Sequence, residues 1–394
     1  MEPLRTLALV STASSIGLSV RVLHVVPSFY PAISYGGPIY SVLNLCLNLG
    51  KLGCEVKVLT TDANRDSRLT PQEQQDPLLD PLRVQFCRRV GRGMISPELL
   101  QRLPGEIGVA DIVHLTGVYN FATFPVLLST QLRRKPLVWS PRGALQRWSG
   151  SRRKLTKGLW DAACRFTLPR KMTLHLTSHC EATESIERVG AHSVCVVPNG
   201  VEIPSDPPPP IRDGLLKLLY MGRLDPKKGI DNLISSLPMF SRSGGRRFHL
   251  KIAGEGPRTY VNSLQKLAND TGIGDQVEFC GHVSGPERYD CYANSDAVVI
   301  PSHTENFGMV VAEALAHARP VIASRATPWP GIQEHGCGLW VDNSPASLAS
   351  AIDRLSRSDL RAMGQRGRAW MIRDFSWLDC AKRMLRHYEL LLGV

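Results

Sequence analysis

A chain of 394 residues is too long for one ordinary hydrophobic core, so its length predicts two domains. Its composition, with 43% hydrophobic and 21% charged residues, is typical of a globular protein and excludes a largely disordered one. The formal net charge of +12 favours an anionic partner. The sequence contains no run of eighteen apolar residues, so we expect no strong transmembrane helix.

Two features bear on where the protein resides. Residues 1–20 contain one arginine and a short apolar stretch, which resembles a poor signal peptide. The alternative, which we favour, is an N-terminal extension before the first strand. The ten cysteines contain no Cys-x-x-Cys pair and no spacing with histidine that is typical of a metal site. We interpret them as structural thiols of a reduced, cytoplasmic protein.

The first half of the chain alternates apolar runs with helical patterns, as α/β proteins do. Buried parallel strands are expected at residues 21–26, 55–60, 84–87, 112–115, 137–140, 173–177 and 194–197. Gly36 and Gly37 lie between the first strand and a helix expected over 39–52, where α/β proteins bind anions, although a tight turn also explains such a pair. Three histidines within expected strands are interpreted as core residues: His24, His114 and His175.

A basic segment follows the fifth expected strand. Residues 130–171 contain twelve basic residues and a single acidic one, Asp161. Between 146 and 171 the charges are interleaved with Trp148, Leu155, Leu159, Trp160, Phe166 and Leu168. This interleaving favours an amphipathic element on an anionic membrane surface, and a solvated helix face is the alternative. No recognition motif accompanies the charge, so we expect no nucleic-acid partner.

A second α/β pattern begins after the proline run at residues 207–210, which is typical of a linker. Strands are expected at residues 217–221, 248–252, 276–279, 297–300 and 321–323. The last forty residues are helical in pattern.

The stretch 301–320, PSHTENFGMVVAEALAHARP, carries the strongest chemical signal. Its proline at 301 ends a buried strand, and a helix is expected from Phe307 until Pro320. Glu305 lies just before this helix and Glu313 within it. Unpaired amides at a helix N-terminus bind anions, phosphate above all. The stretch therefore predicts a ligand with a phosphate between hydroxyl-rich groups, such as a nucleotide sugar.

Four motifs, taken in order, resemble those of the retaining glycosyltransferases of family 4. Gly36-Gly37 is similar to their N-terminal glycine pair, and Pro198–Val201 matches their PNGV turn. The segment 222–229, GRLDPKKG, resembles their GRxxxxKG segment, and 305–313, ENFGMVVAE, resembles their paired-glutamate motif. The resemblance covers roughly residues 21–394 and implies an α/β protein of the GT-B fold, with two Rossmann-like domains facing a central cleft.

The resemblance also implies domain limits. Residues 21–206 would form an N-terminal acceptor domain, 207–214 a linker, and 215–375 a C-terminal domain for the nucleotide-sugar donor. Residues 376–394 would form a helix that packs back on the N-terminal domain.

Particular site residues follow from the resemblance as well. The catalytic group would comprise Glu305 on the donor hexose and Arg223 and Lys228 on the diphosphate. The further donor-binding residues would be Glu313, Phe307, Gly308, Met309, Gly36, Gly37, Gly254, Gly256, His282 and Val283. Because two cations serve the diphosphate and the sequence has no Asp-x-Asp pair, we expect no metal and no cofactor.

Two positions depart from the family pattern. Arg142 stands where many relatives have a histidine near the reaction centre, and the sequence SPRG at 140–143 is similar to that of a subset of the family. Arginine stays protonated and cannot act as a base, so we expect Arg142 to contact the diphosphate or an acidic acceptor. Ala318 stands where relatives often have the glycine of a left-handed helix stop. That conformation costs alanine about 1 kcal/mol, so we expect the end of this helix to differ locally.

The resemblance implies a retaining, metal-independent hexosyltransferase of cell-surface polysaccharide biosynthesis. Its substrates would be a UDP- or GDP-sugar and a glycan or lipid-linked acceptor, and it would work in the cytoplasm or at the inner membrane face. Two alternatives stay open. One is a catalytically inactive regulatory protein that binds sugar nucleotides, which the absence of the usual histidine favours. The other is an epimerase of the same fold.

Overall fold

A computed structural model describes residues 19–91, 94–146, 154–191, 193–205, 207, 214–245 and 247–394. Most of the expected N-terminal extension lies outside these residues. So do Trp148 and most of the proline run at 207–210.

The first half of the chain forms a seven-stranded parallel sheet with helices between its strands. In chain order its elements are β1 (Arg21–Val25), α1 (Gly37–Lys51), β2 (Glu55–Thr61), β3 (Ala63–Asn64), β4 (Ser67–Arg68), β5 (Arg83–Cys87), α2 (Pro97–Val109), β6 (Ile112–Thr116), α3 (Thr123–Leu132), β7 (Leu137–Ser140), α4 (Lys154–Phe166), β8 (Met172–Leu176), α5 (His179–Val189) and β9 (Val194–Val196). The sheet order is β5-β2-β1-β6-β7-β8-β9, while β3 and β4 form a separate antiparallel pair. Strands β6, β7 and β8 are buried along their whole length, as parallel strands covered by helices on both faces must be.

The second half repeats this architecture with a six-stranded parallel sheet. Its elements are β10 (Leu216–Met221), α6 (Ile230–Arg242), β11 (Phe248–Ala253), α7 (Arg258–Asp270), β12 (Val277–Gly281), α8 (Gly285–Ala293), β13 (Ala297–Ile300), α9 (Met309–Ala316), β14 (Val321–Ser324), α10 (Gly331–Glu334), β15 (Gly338–Val341), α11 (Pro345–Ser356), α12 (Leu360–Asp374) and α13 (Trp377–Leu392). The sheet order is β12-β11-β10-β13-β14-β15. In both sheets the strand order reverses direction beside the first strand, and ligands of open α/β sheets bind in the crevice at such a point.

The last helix returns to the first half of the chain. Cys380, Met384 and Tyr388 of α13 share one buried apolar cluster with Val42 and Leu49 of α1. A backbone hydrogen bond of 2.7 Å from Val201 N to Phe375 O connects the PNGV turn to the segment just before α13. A Cβ atom at Gly200 would lie 2.5 Å from the Trp377 ring, so the glycine of the PNGV turn is required for this close packing.

The helix expected from Phe307 begins instead at Met309, so that prediction was wrong by two residues. Gly308 has a φ of 78° and caps the helix in the left-handed region, which few other residues adopt. Phe307 points into the core against Trp329 and Phe375. At the other end, Ala318 has a φ of 56°, so the left-handed helix stop is kept although its residue is alanine, and the expected local difference was wrong.

Other expectations concern cysteines and membranes. All ten cysteines fall within the described residues, and none of them forms a disulfide there. No helix in the described part of the chain combines the length and the apolar content needed to cross a membrane.

Candidate active site

Three loops at the carboxyl ends of β10, β11 and β12 lie side by side. Gly222 N donates to Ala253 O at 2.9 Å, and Gly254 N donates to Gly281 O at 2.7 Å. A Cβ atom on Gly254 would lie 1.8 Å from Gly222 O, and one on Gly256 would lie 2.0 Å from the carbonyl oxygen of Leu224. The approach of these backbones therefore requires both glycines, whatever ligand the loops bind.

The turn that carries Lys228 is held against the segment after β13. Asp225 Oδ1 accepts a hydrogen bond of 3.1 Å from Lys227 N and starts a single 3-10 turn over Pro226–Lys228. His303 N donates to Lys227 O at 2.8 Å. A Cβ atom at Gly229 would lie 2.1 Å from the carbonyl oxygen of Pro301, so only glycine allows the two segments to meet.

This packing brings two of the predicted catalytic residues together. Lys228 Nζ lies 2.5 Å from Glu305 Oε1, and Ser302 Oγ donates to the same oxygen at 2.9 Å. The two charged side chains are only 18% and 14% exposed. Charges shielded from water in this way interact more strongly than a pair on the surface does.

The third predicted catalytic residue faces the other half of the chain. Arg223 is exposed, and its Nη2 lies 3.9 Å from the position that a Cβ atom would take on Gly36. Gly36 caps α1 with a φ of 84°, and a Cβ atom on Gly37 would meet no atom within 4 Å. The start of α1 therefore borders open space opposite Arg223, and the amides at a helix start favour an anion there.

Glu313 lies in α9 and has partners that the sequence analysis did not identify. Its Oε2 accepts hydrogen bonds from Arg288 Nη2 and, at 2.6 Å, from the hydroxyl of Tyr292, both from α8. Burial by itself would lower the pKa of Arg288, but Glu313 and Tyr292 raise it overall. Glu313, which the resemblance assigns to donor binding, is thus oriented by a neighbouring helix, and nothing in the local sequence around it indicated this pairing.

The remaining predicted donor contacts fall into two groups. Phe307 is only 6% exposed and its carbonyl accepts a hydrogen bond from Trp329 Nε1, so its side chain has a structural role. Gly308 and Met309 form the start of α9. His282 is exposed and Val283 partly buried in the loop after β12, and neither has a described contact with Glu305 or Glu313.

Arg142 lies in the first domain, in the turn that follows β7. Its backbone is left-handed, with a φ of 54°, and its Nη1 donates to Asn199 Oδ1 in the PNGV turn. Burial lowers the pKa of Arg142 from its usual value, and Glu181 opposes that shift. A guanidinium remains protonated at neutral pH under such a shift. The structure therefore places a partly buried cation where the predicted cleft begins.

Beneath Arg142 the three strand histidines form one buried network, as their interpretation as core residues predicted. His24 and His114 stack with ring centres 4.3 Å apart. Ser140 Oγ lies 2.6 Å from both His114 Nε2 and His175 Nδ1, and the Tyr388 hydroxyl lies 2.6 Å from His114 Nδ1. Burial and, secondarily, the charge of Arg142 lower the pKa of His24 to about 3, so this ring is neutral at physiological pH.

Two family models match the chain. The model described as Glycosyl transferase 4-like domain matches residues 36–200, and the model described as Glycosyl transferases group 1 matches residues 204–370. The chain belongs to the group 1 glycosyltransferases. The predicted family is thereby confirmed.

Two curated members of this family illustrate the similarity. The chain is 33% identical over 215 residues to the GDP-mannose-dependent alpha-(1-6)-phosphatidylinositol monomannoside mannosyltransferase of Mycobacterium tuberculosis, which covers 49% of this chain and 55% of that protein. It is also 33% identical over 229 residues to the D-inositol 3-phosphate glycosyltransferase of Acidothermus cellulolyticus, covering 53% of this chain and 51% of the relative. The chain thus spans about half the length of the curated relatives it matches.

Solved structures of this glycosyltransferase class share the fold over nearly the whole chain. Anabaena Alr3699/HepE in complex with UDP and glucose superimposes with a TM-score of 0.73 at 18% identity, covering 94% of this chain and all of that one (100%). WaaG, a glycosyltransferase involved in lipopolysaccharide biosynthesis, gives 0.65 at 15% identity, covering 95% of this chain and 100% of WaaG. The predicted GT-B fold, with two Rossmann-like domains, is confirmed.

Proposed function

We propose that this protein is a retaining glycosyltransferase that transfers a hexose from a UDP- or GDP-sugar to a glycan or lipid-linked acceptor of cell-surface polysaccharide biosynthesis. The observation that supports this most directly is the shielded Lys228–Glu305 pair beside the exposed Arg223, at the carboxyl ends of β10 and β13. Relatives and neighbours named for GDP-mannose, UDP and glucose support a nucleotide-sugar donor.

The cations would act on the leaving group. Cleavage of the bond between sugar and diphosphate leaves negative charge on the phosphate oxygens, and fixed cations aimed at those oxygens stabilise the transition state. Lys228 is held in place by Glu305, whose Oε1 is itself fixed by Ser302, whereas Arg223 has no carboxylate partner among the described residues. Lys228 would therefore act as a preorganised donor, and Arg223 would close on the diphosphate when it binds.

The carboxylates would hold the hydroxyl groups of the donor. A carboxylate accepts several hydrogen bonds, so Glu305 could accept from Lys228 and from the hexose together. In Glu313, Oε2 is bound by Arg288 and Tyr292, while Oε1 accepts no bond from any described residue. We assign Oε1 to the ribose hydroxyls, with α8 fixing its orientation.

The reaction would proceed with retention and without a metal. With both diphosphate charges met by Arg223 and Lys228, no divalent ion is needed for charge stabilisation. The departing phosphate oxygen would accept the proton of the acceptor hydroxyl as that hydroxyl attacks from the same face of the sugar. This assignment gives Arg142 no part as a base and leaves it to bind an anionic group of donor or acceptor.

The acceptor would be reached at a membrane surface through α4. Leu155, Leu159 and Phe166 are 87%, 74% and 87% exposed, and at about 100° per residue they fall within about 40° of one another around the helix. The opposite side of α4 is anchored, since Trp160 Nε1 donates to Val118 O at 3.0 Å. An exposed apolar stripe in a segment with twelve basic residues and one acidic residue suits the anionic inner face of a membrane.

A panel of UDP-, GDP- and ADP-sugars, read as released nucleotide, tests the proposed function. We expect release from one nucleotide class to depend on an added glycan or lipid-linked acceptor. Binding of a nucleotide sugar without any turnover would instead favour the inactive regulatory protein. Conversion of the donor sugar with no acceptor present would favour the epimerase.

A further inference from the structure

Three consecutive side chains of the paired-glutamate motif point in three different directions. Glu305 bonds to Lys228 and Phe307 is buried against Trp329, both within the second domain. Asn306, between them, crosses to the first domain. Ser178 Oγ, from the start of α5, donates to the carbonyl oxygen of Asn306 at 3.4 Å, and Thr177 Oγ1 lies 3.2 Å from its amide. Opening of the cleft would therefore break the contacts of Asn306 and leave those of its two neighbours intact.

Asn306 contacts Gly143, Thr177 and Glu181 of the first domain, a set of residues that we call the Asn306 seat. The polar atoms of this seat complement an amide group. With its nitrogen turned toward acceptors, the amide donates to Gln146 Oε1 at 2.9 Å and to Glu181 Oε2 at 3.0 Å, while its oxygen accepts from Thr177 Oγ1 at 3.2 Å. One orientation thus satisfies both ends of the side chain.

The first domain organises this seat without help from the second. Glu181 is fully buried, and its Oε1 accepts from Gly143 N at 2.5 Å. Its Oε2 accepts from Thr177 N at 2.8 Å and lies 2.7 Å from Thr177 Oγ1, whose single proton is free for Glu181 until Asn306 accepts it. The carboxylate is thereby fixed before Asn306 arrives.

Gly143 of the SPRG turn leaves the space that Asn306 occupies. A Cβ atom on Gly143 would lie 2.8 Å from both Cβ and Cγ of Asn306, closer than real side-chain contacts allow. Gly143 also has a φ of 77°, which disfavours any other residue. The glycine that follows Arg142 and the asparagine that follows Glu305 therefore fit each other across the cleft.

We propose that Asn306 is a positioning residue whose seat at Gly143, Thr177 and Glu181 sets the closed arrangement of the two domains. In that arrangement Glu305 and Arg142, each next to one half of the contact, are held at a fixed separation. The contact itself is independent of the reaction, whereas its effect on turnover rests on the proposed function. Of the assigned donor contacts, Glu305, Lys228 and Glu313 belong to the second domain and Gly36 and Gly37 to the first, so loss of the contact should weaken nucleotide binding far less than it lowers turnover.

Hydrogen exchange of the full chain tests the contact directly. The variant Asn306→Ala removes the amide, and Asn306→Asp places a second carboxylate beside Glu181. Loss of the hydrogen bonds that the amide makes to Gln146, Glu181 and Thr177 should speed exchange of peptides covering 141–146 and 177–181 about fivefold to tenfold. The matched controls Asn262→Ala and Asn262→Asp change an exposed asparagine of α7 and should leave these peptides at wild-type rates. Wild-type exchange in both Asn306 variants would overturn the proposal.

A kinetic comparison tests the positioning role. We expect Asn306→Ala to lower kcat about tenfold or more while the Kd for UDP or GDP changes by less than about threefold and the protein stays folded at the assay temperature. An equal loss of nucleotide affinity would show that Asn306 belongs to the donor site and would contradict the proposal. If no sugar nucleotide is turned over by the wild-type protein, the proposed function fails, and the exchange rates still decide whether the contact exists.

Discussion

Glu305 is the residue whose chemistry the proposed reaction needs most. Its Oε1 receives bonds from Lys228 and Ser302, and its side chain is 14% exposed. The change Glu305→Gln keeps the shape but removes the charge that holds Lys228. We expect kcat to fall about 100-fold or more, which is typical for loss of one preorganised electrostatic group, with the fold unchanged. Released nucleotide measures the rate and circular dichroism checks the fold.

The control for that measurement is Glu287→Gln, which neutralises an exposed acid on α8 in the same domain. It should leave kcat within about twofold of the wild type, because surface substitutions away from the site have small effects. A fully active Glu305→Gln enzyme would rule out the assigned role of Glu305.

Ala318 offers a test of backbone strain at a single residue. Its φ of 56° is unfavourable for alanine and neutral for glycine. The change Ala318→Gly should therefore raise the free energy of unfolding, by up to about 1 kcal/mol, despite the greater freedom of glycine in the unfolded chain. Ala163→Gly, at an exposed position of α4, should lower it by about 1 kcal/mol, because glycine is the poorer helix former. Chemical denaturation measures both, and a loss of stability in Ala318→Gly would contradict the strain.

At the scale of elements, α4 is a helix with one anchored face and one exposed apolar stripe. Leu159→Glu places a charge in the centre of the stripe at a position that is 74% exposed, so the fold should tolerate it. Binding to phosphatidylglycerol vesicles should weaken about tenfold or more, since the burial of one leucine is lost and a repulsive charge is added. Sedimentation with vesicles measures the effect.

The comparison for α4 is Leu390→Glu, which alters a leucine that is 68% exposed on α13. It should bind vesicles as the wild type does. Equal binding to phosphatidylglycerol and neutral phosphatidylcholine vesicles, or no change in Leu159→Glu, would count against α4 as the docking surface.

At the scale of the whole molecule, the buried histidines join the first sheet to the last helix. Because burial lowers the pKa of His24 to about 3, the folded state excludes a proton that the unfolded state takes up below a pH of about 6.5. Stability is thus complete above that pH and falls as the pH drops from 6.5 toward 3. The burial of His114 and His175, whose pKa values also lie well below the usual one, acts in the same direction.

We expect the free energy of unfolding to decrease by about 1 kcal/mol per pH unit for each such histidine between pH 6 and pH 4. Denaturation at a series of pH values measures this slope, and His114→Gln should make it shallower, because glutamine cannot take up the proton. A slope that is the same with and without His114 would show that this ring does not couple folding to protonation.

The proposed metal independence would be a property of the complete cleft. If Arg223 and Lys228 meet the whole charge of the diphosphate, then EDTA should leave the rate of transfer within about twofold of the untreated rate. A loss of activity that Mg²⁺ or Mn²⁺ restores would contradict the assignment. Arg223→Lys should lower kcat even in EDTA-treated protein, because an ammonium cannot reproduce the planar fork of a guanidinium.

The sequence by itself determined the order of the motifs and the class of fold. Apolar runs and glycine turns are local signals, because strand burial and left-handed φ angles depend on the residues at those positions. For that reason the two parallel sheets and the core histidines could be predicted, whereas the left-handed stop at Ala318 was kept against expectation. Lys228 and Glu305 could be named as site residues through the family resemblance, but their ion pair was not predicted.

Only the tertiary structure decided which side chains meet across separate segments. The partners of Glu313 on α8, the true start of α9 at Met309 and the seat of Asn306 beside Gly143 were not predictable from spacing along the chain. Each depends on distances between elements that are far apart in sequence, and those distances are set by packing of the whole molecule rather than by local propensity. Gly143 and Asn306 lie next to motif residues in the sequence, yet their fit exists only when the two domains face each other.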